Sequence, residues 1–153
     1  MKPCFLVFVF VCLSGCASLG IHVVNDSLTA AQHNDLGWTY EQQNKLALAE
    51  KEYTRARKKD REWHLPSYNL ANIYYKMGKP KKAAKYYRRA LKSAPNDADS
   101  MNNLAFVLLE QGNAPEARKW IEKAIAIEAK PAYLDTREKI RRQYHPASPT
   151  AMD

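Results

Sequence analysis

PSYNLANIYYKMGKPKKAAKYYRRALKSAP, residues 66–95, decides how the rest of this chain is read. Leu70, Ala71 and Tyr74 share one helical face and stop at Gly78. Gly is the default residue where a helix ends in a left-handed turn. Pro80 then suits the first turn of a new helix, where its missing N–H costs nothing. Ala83, Tyr87 and Ala90 mark the buried face of that second helix, and Pro95 ends it. The pattern recurs 34 residues on as Leu104, Ala105, Leu108, Gly112, Ala117, Ile121 and Ala124. It recurs 34 residues back as Leu36, Gly37, Tyr40, Ala49, Tyr53 and Ala56. Three helix pairs in register, with no insertion, predict a stack of repeats in which each pair buries its apolar face against its neighbours.

This spacing resembles the tetratricopeptide repeat (TPR), whose W-x-x-L-G-x-x-Y signature is met at Leu36, Gly37 and Tyr40, with His33 in the Trp place. The fold expected is all-α: a TPR superhelix of three repeats, 30–63, 64–97 and 98–131, closed by a capping helix over 132–144. Small Gly37 is read as the close approach of two helices. Asn44 stands in the turn where the other repeats have Gly, and Asn tolerates a left-handed backbone better than other side chains. Asn113, and by the same reasoning Asp97, are read as helix N-caps. The capping helix carries Tyr133, Leu134, Arg137 and Ile140 at three- and four-residue spacing, with one face for repeat three and one for water. The tail 145–153, with Pro146 and Pro149, is read as disordered.

The chain has 153 residues, a formal charge of +8 and a pI near 9.4. That length gives room for one domain. The charge favours an anionic partner or surface and says nothing of fold. Lys2 followed by the apolar run Phe5–Leu13 has the length of a signal-peptide core, well short of the roughly 20 residues that span a bilayer. Leu13-Ser14-Gly15-Cys16 resembles the lipobox of bacterial lipoproteins. The resemblance implies a leader over 1–15, diacylglycerol on Cys16 and acylation of its new amino terminus. An ordinary secretory signal cut elsewhere is the alternative. Because Ala17 and Ser18 follow the cysteine, and not Asp, the resemblance further implies transfer to the outer membrane in enteric-type bacteria. Cys4 and Cys12 would leave with the leader and Cys16 would carry lipid, so no disulfide or cysteine metal site is expected. Removing 1–15 takes Lys2 and no acid, leaving +7. Residues 16–29 are read as the lipidated cysteine and a tether, whose 13 residues after Cys16 extend to roughly 45 Å.

The TPR resemblance also implies that the first helices of the repeats line a concave groove. Its residues here are Asn34, Asp35, Trp38, Glu41 and Gln42; Tyr68, Asn69, Asn72, Tyr75 and Lys76; and Asn102, Asn103, Phe106, Leu109 and Glu110. Tyr133, Arg137 and Ile140 are added by the capping helix. Asn offers both donor and acceptor to an extended backbone, and Asn69 with Asn103 is read as a two-rung amide ladder. Trp38, Tyr75 and Phe106 bring aromatic area of the kind that dominates interfaces. The partner-binding set is therefore Trp38, Asn69, Asn72, Tyr75, Asn103, Phe106 and Arg137. The clamp that holds chaperone C-terminal carboxylates in some TPR domains uses Lys and Asn, then Asn, then Lys and Arg. Only Asn69 matches it, since Asn34, Trp38, Asp99 and Asn103 fill the other places.

Two basic runs, Arg55–Arg61 and Lys79–Lys92, fall on second helices. They read either as solvated faces or as a contact for anionic lipid, lipopolysaccharide or an acidic partner. No nucleic-acid motif accompanies them. His22, His33, His64 and His145 lack metal-ligand spacing, and no nucleophile–base set or phosphate-binding glycine loop is present. No cofactor, no metal and no catalysis are expected. Small TPR lipoproteins serve as pilotins for secretin rings, pilus assembly factors and adaptors for cell-wall enzymes. The resemblance thus implies a membrane-anchored periplasmic scaffold that binds a protein or peptide in its groove. The rival is a non-catalytic accessory subunit of an exported peptidase or cell-wall enzyme. Cys16→Ser should abolish incorporation of radiolabelled palmitate in cells, and undiminished labelling would remove the lipobox reading.

Overall fold

The computed structural model describes residues 26–144. The expected leader 1–15, the lipid site Cys16, most of the tether and the tail 145–153 lie outside the described residues. Seven α-helices follow one another: α1 (Ala30–Gln42), α2 (Leu46–Lys59), α3 (Leu65–Lys76), α4 (Pro80–Ser93), α5 (Ala98–Glu110), α6 (Ala114–Ile127) and α7 (Pro131–Tyr144). Among the described residues there is no strand. Helices pair as α1–α2, α3–α4 and α5–α6, each pair packs on the next, and α7 rests on α5 and α6.

The three hairpin turns share one hydrogen-bonding device. In the first, Lys45 N–H reaches Tyr40 C=O and Asn44 N–H reaches Glu41 C=O. Lys79 to Tyr74 with Gly78 to Tyr75, and Asn113 to Leu108 with Gly112 to Leu109, repeat it. This pair of bonds is the Schellman motif, which needs a left-handed residue just past the helix. Gly78 (φ 68°), Gly112 (φ 77°) and Asn44 (φ 56°) supply it, so Asn44 does the work of the missing Gly.

Caps at the helix starts are less uniform. Thr29 and Gln32 form a reciprocal capping box on α1, which the sequence reading passed over. Asn113 caps α6 by accepting from Glu116 N–H. Asp97 does not cap α5, contrary to expectation. Its carboxylate accepts instead from the Ser100 hydroxyl, one turn into the helix, which takes the oxygen away from the backbone.

The core lies between a layer of first helices and a layer of second helices. Ala49, Ala83 and Ala117 occupy one repeat position and are fully buried, as are Ala56, Ala90 and Ala124 at another. Tyr53, Tyr87 and Ile121 fill the space between these small residues. Leu70 and Leu104 are fully buried, whereas their counterpart Leu36 is half-buried. Among the described residues no helix precedes α1 to cover it. Gly37 is required by packing. A Cβ there would stand 2.6 Å from Cδ1 of Tyr53, whose ring fills the α1–α2 gap. On α7, Tyr133, Thr136 and Ile140 are buried. The expectation that Tyr133 and Ile140 face the groove is therefore corrected, because both go into the core against α5 and α6.

Leu70→Ala should cost about 2–5 kcal/mol, the range for a buried leucine that leaves a cavity; unchanged urea unfolding would contradict the packing described. In Gly37→Ala, the gain in helix propensity of about 1 kcal/mol opposes an overpacking cost of about 1–3 kcal/mol. Tyr53 is held at its ring and its hydroxyl, so net destabilisation of about 1–2 kcal/mol is expected in the same assay.

Candidate functional site

The site is the surface shared by α1, α3 and α5, with one edge supplied by α7. Two polar contacts cross from each first helix to the next, four in all. Asn69 Nδ2 donates to Asn34 Oδ1 (2.9 Å), and Lys76 Nζ donates to Glu41 Oε1 (2.7 Å). Asn103 Nδ2 donates to the Tyr68 hydroxyl (3.2 Å), and the Tyr75 hydroxyl donates to Glu110 Oε1 (3.0 Å). Each pair is 35 residues apart, one more than the repeat. Equivalent positions on neighbouring first helices point the same way, and the next residue, about 100° round the helix, turns back toward the preceding helix.

These bonds change the expected amide ladder. Asn69 and Asn103 do not form a free pair of rungs; each is bonded to the preceding helix. Asn72 accepts from the Tyr87 hydroxyl. An amide can make up to four hydrogen bonds, and these contacts use only part of that capacity. The remainder is held in a fixed direction, which lowers the entropy that a bound chain must overcome.

A pocket of about 220 Å³ opens at the centre of this surface. Asn72, Tyr75, Asn103 and Phe106 line it, with Glu41, Lys76, Tyr87 and Val107 completing the wall. Four of the seven expected contact residues thus share one cavity. Asn69 lies beside it, bonded to Asn34. Trp38, 58% exposed, stands outside the lining on α1. Arg137 is exposed on α7 and is also not in the lining. The repeat position that joins Trp38 to Phe106 in sequence gives them different surroundings. Phe106 meets Tyr75 edge-on with centroids 5.9 Å apart, and Lys139 Nζ of α7 lies 5.6 Å from its ring centre. Lys139 escaped the sequence reading because its place depends on how α7 crosses α5. Its one sequence cue was adjacency to Ile140, the last apolar residue of the buried face.

The electrostatics are those of a partly neutralised surface. Glu41 meets Lys76, and Asp99 meets Lys130 (3.3 Å) and the Tyr133 hydroxyl (2.5 Å). Burial, then the Asp99 carboxylate, pushes the Tyr133 phenol up to about 12. Burial, then Glu110, raises Tyr75. Tyr75 at the groove and Tyr133 beneath it therefore act as neutral hydrogen-bonding groups near neutral pH.

His33 stands where the repeat pattern has Trp and is fully buried. Its Nδ1 lies 2.7 Å from Glu52 and its Nε2 lies 2.8 Å from Asp26. It ties Asp26, just before α1, to the first helix pair and takes no part in the groove. Among the described residues, no cluster of His, Cys, Asp or Glu has the arrangement of a metal site, and no helix is long and apolar enough to cross a membrane.

A family model described as tetratricopeptide repeat matches residues 68–133. Among solved structures, the first TPR of Spaghetti (RPAP3), bound to the HSP90 peptide SRMEEVD, is 22% identical with a TM-score of 0.74. That likeness covers 82% of this chain and 98% of the other. The Sgt2 TPR domain from Aspergillus fumigatus is 21% identical with a TM-score of 0.73, over 81% of this chain and 87% of that one. The fold is accordingly the all-α TPR superhelix. No curated protein matches the chain by sequence.

The cross-repeat bonds can be measured singly. A double-mutant cycle on Asn34 and Asn69 with Ala should give a coupling of about 0.5–1.5 kcal/mol, the net worth of one neutral hydrogen bond. A coupling of zero would mean that the pair is not formed in solution.

Proposed function

We propose that this chain is a non-catalytic, lipid-anchored scaffold of the bacterial envelope that holds an extended segment of a partner protein in its groove. The observation that carries the reading is the pocket between α3 and α5. It combines edge-on aromatic rings, Tyr75 and Phe106, with the pre-set amides of Asn72 and Asn103. Aromatic area gives affinity, and amides pair with a peptide backbone whatever its side chains. Asn69 and Trp38 extend the same surface toward α1, and Lys139 extends it toward α7.

The RPAP3 domain, of like fold, is bound to a peptide ending in an acid, and this supports a peptide as the occupant here. The chemistry of the occupant differs. Asp99 replaces a cation of the carboxylate clamp, and Glu41 and Glu110 face the same surface. A C-terminal carboxylate would meet like charge, so an internal segment or one of neutral to basic character fits better. The envelope setting rests on the lipobox resemblance at Cys16, which also supports an outer-membrane address facing the periplasm. Assembly of pilus or secretin components is the finer expectation within that setting.

A photo-crosslinking residue placed at Trp38 in cells should trap a partner, and the same residue at Glu122 on α6 should not. Phe106→Ala with Asn103→Ala should lower that trapping at least 10-fold while circular dichroism stays helical. Equal trapping from both faces, or trapping unchanged in the double variant, would refute the groove.

A further inference from the structure

The two faces of the stack carry opposite charge. The first helices α1, α3 and α5 hold four acidic residues against one cation, Lys76, for a net −3. The second helices α2, α4 and α6 hold fourteen Lys and Arg against four Glu, for a net +10. The cations are placed by repeat position. Lys51, Lys85 and Lys119 share one position, Arg55, Arg89 and Lys123 a second, and Lys58 and Lys92 a third. On α4 all six cations, from Lys81 to Lys92, are exposed and fall within an arc of about 120°, taking 100° per residue. Packed helices lie roughly 8–10 Å apart, so the rows form a two-dimensional lattice and not a single line. Among the described residues, only Arg55 and Arg88 of this face make ion pairs, with Glu52 and Glu116.

The chain enters the fold at the edge of this lattice. Lys59 Nζ donates to the Asp26 carbonyl (2.7 Å), and the Asp26 carboxylate meets His33. Asp26 is therefore pinned beside Lys58 and Lys59 at the end of α2. Nine residues lie between it and Cys16, ten Cα–Cα steps that reach at most about 35 Å. Leu48, exposed on α2 at the place that Lys82 holds on α4, adds an apolar side chain to the same face.

We infer that the outer face of α2, α4 and α6 lies against an anionic phospholipid surface, with the groove turned away from the bilayer. The choice of a membrane over another polyanion rests on the lipid-anchor reading and on the point where the tether lands. A lattice spread over three helices matches a surface of headgroups, whereas a linear polyanion would need only one row. A tether of at most about 35 Å confines the face near the membrane and lets it reach the Debye layer of the headgroups, about 8 Å at physiological salt, where each cation contributes.

The test is co-sedimentation of the Cys16→Ser chain, residues 16–153, with vesicles. Residues 26–144 contain the packed core, and circular dichroism verifies it for every variant. Binding is expected to vesicles of 30% phosphatidylglycerol in phosphatidylcholine, to vanish at 0.5 M NaCl, and to be absent with phosphatidylcholine alone. Neutralising one row, as K51Q, K85Q and K119Q, should weaken it about 100-fold, at about 5-fold per cation. The same charge removed elsewhere, as K45Q, R141Q and R142Q, should weaken it less than 10-fold. Equal loss in both triple variants, equal binding to neutral vesicles, or tighter binding to a soluble sulfated polysaccharide than to vesicles at matched charge would overturn the inference. The protein used carries no lipid, so a failed palmitate labelling in cells counts against the anchor alone.

Discussion

Everything in this molecule depends on how closely the paired helices approach one another. Ala49, Ala83 and Ala117 let the backbones come together, and Tyr53, Tyr87 and Ile121 fill what the alanines leave. At Gly37 the approach is so close that a single methyl group would enter the Tyr53 ring. Interiors are packed as densely as organic crystals, so this spacing is set by side-chain volume and has little slack. Once it is set for one pair, the 34-residue recurrence sets it for all three. The first helices are then carried side by side, and the groove follows without further instruction.

Polar contacts stiffen the groove on top of the apolar packing beneath it. Asn34 with Asn69, Glu41 with Lys76, Tyr68 with Asn103, and Tyr75 with Glu110 bind each first helix to the next. Individually such bonds are worth about 1 kcal/mol. Their larger effect is on orientation. Asn72, Asn103 and Phe106 are presented at fixed angles around a cavity of about 220 Å³. A partner that binds there does not have to order the site that receives it.

The fold was legible because its signals are periodic and local. Gly78, Gly112 and Asn44 mark three turns of one kind, and the buried alanines recur at a fixed interval. The candidate site was legible only in part. First-helix positions are set by the repeat, so Asn72, Tyr75, Asn103 and Phe106 could be placed on one surface from sequence. What each of them touches depends on the neighbouring helix. Repeat position alone therefore could not tell that Asn69 bonds to Asn34, or that Trp38 and Phe106 differ. It failed most at α7, where Tyr133 and Ile140 turned inward and Lys139 reached the groove. Among the described residues α7 has no counterpart in another repeat to fix its register by analogy, and only tertiary packing decides which residues face in. The Asp97 cap failed for a similar reason, since Ser100 competes for the same oxygen.

The charge separation gives the two layers different chemistry: amide and aromatic groups on the first helices, cations on the second. The measurement that tests this most directly is backbone amide NMR of ¹⁵N-labelled protein titrated with the segment of the partner recovered by crosslinking. The account predicts that shift changes cluster at Asn72, Tyr75, Asn103 and Phe106, with α2, α4 and α6 unmoved along their cationic rows. Changes centred on Lys51, Lys85 and Lys119, with the pocket residues still, would contradict it.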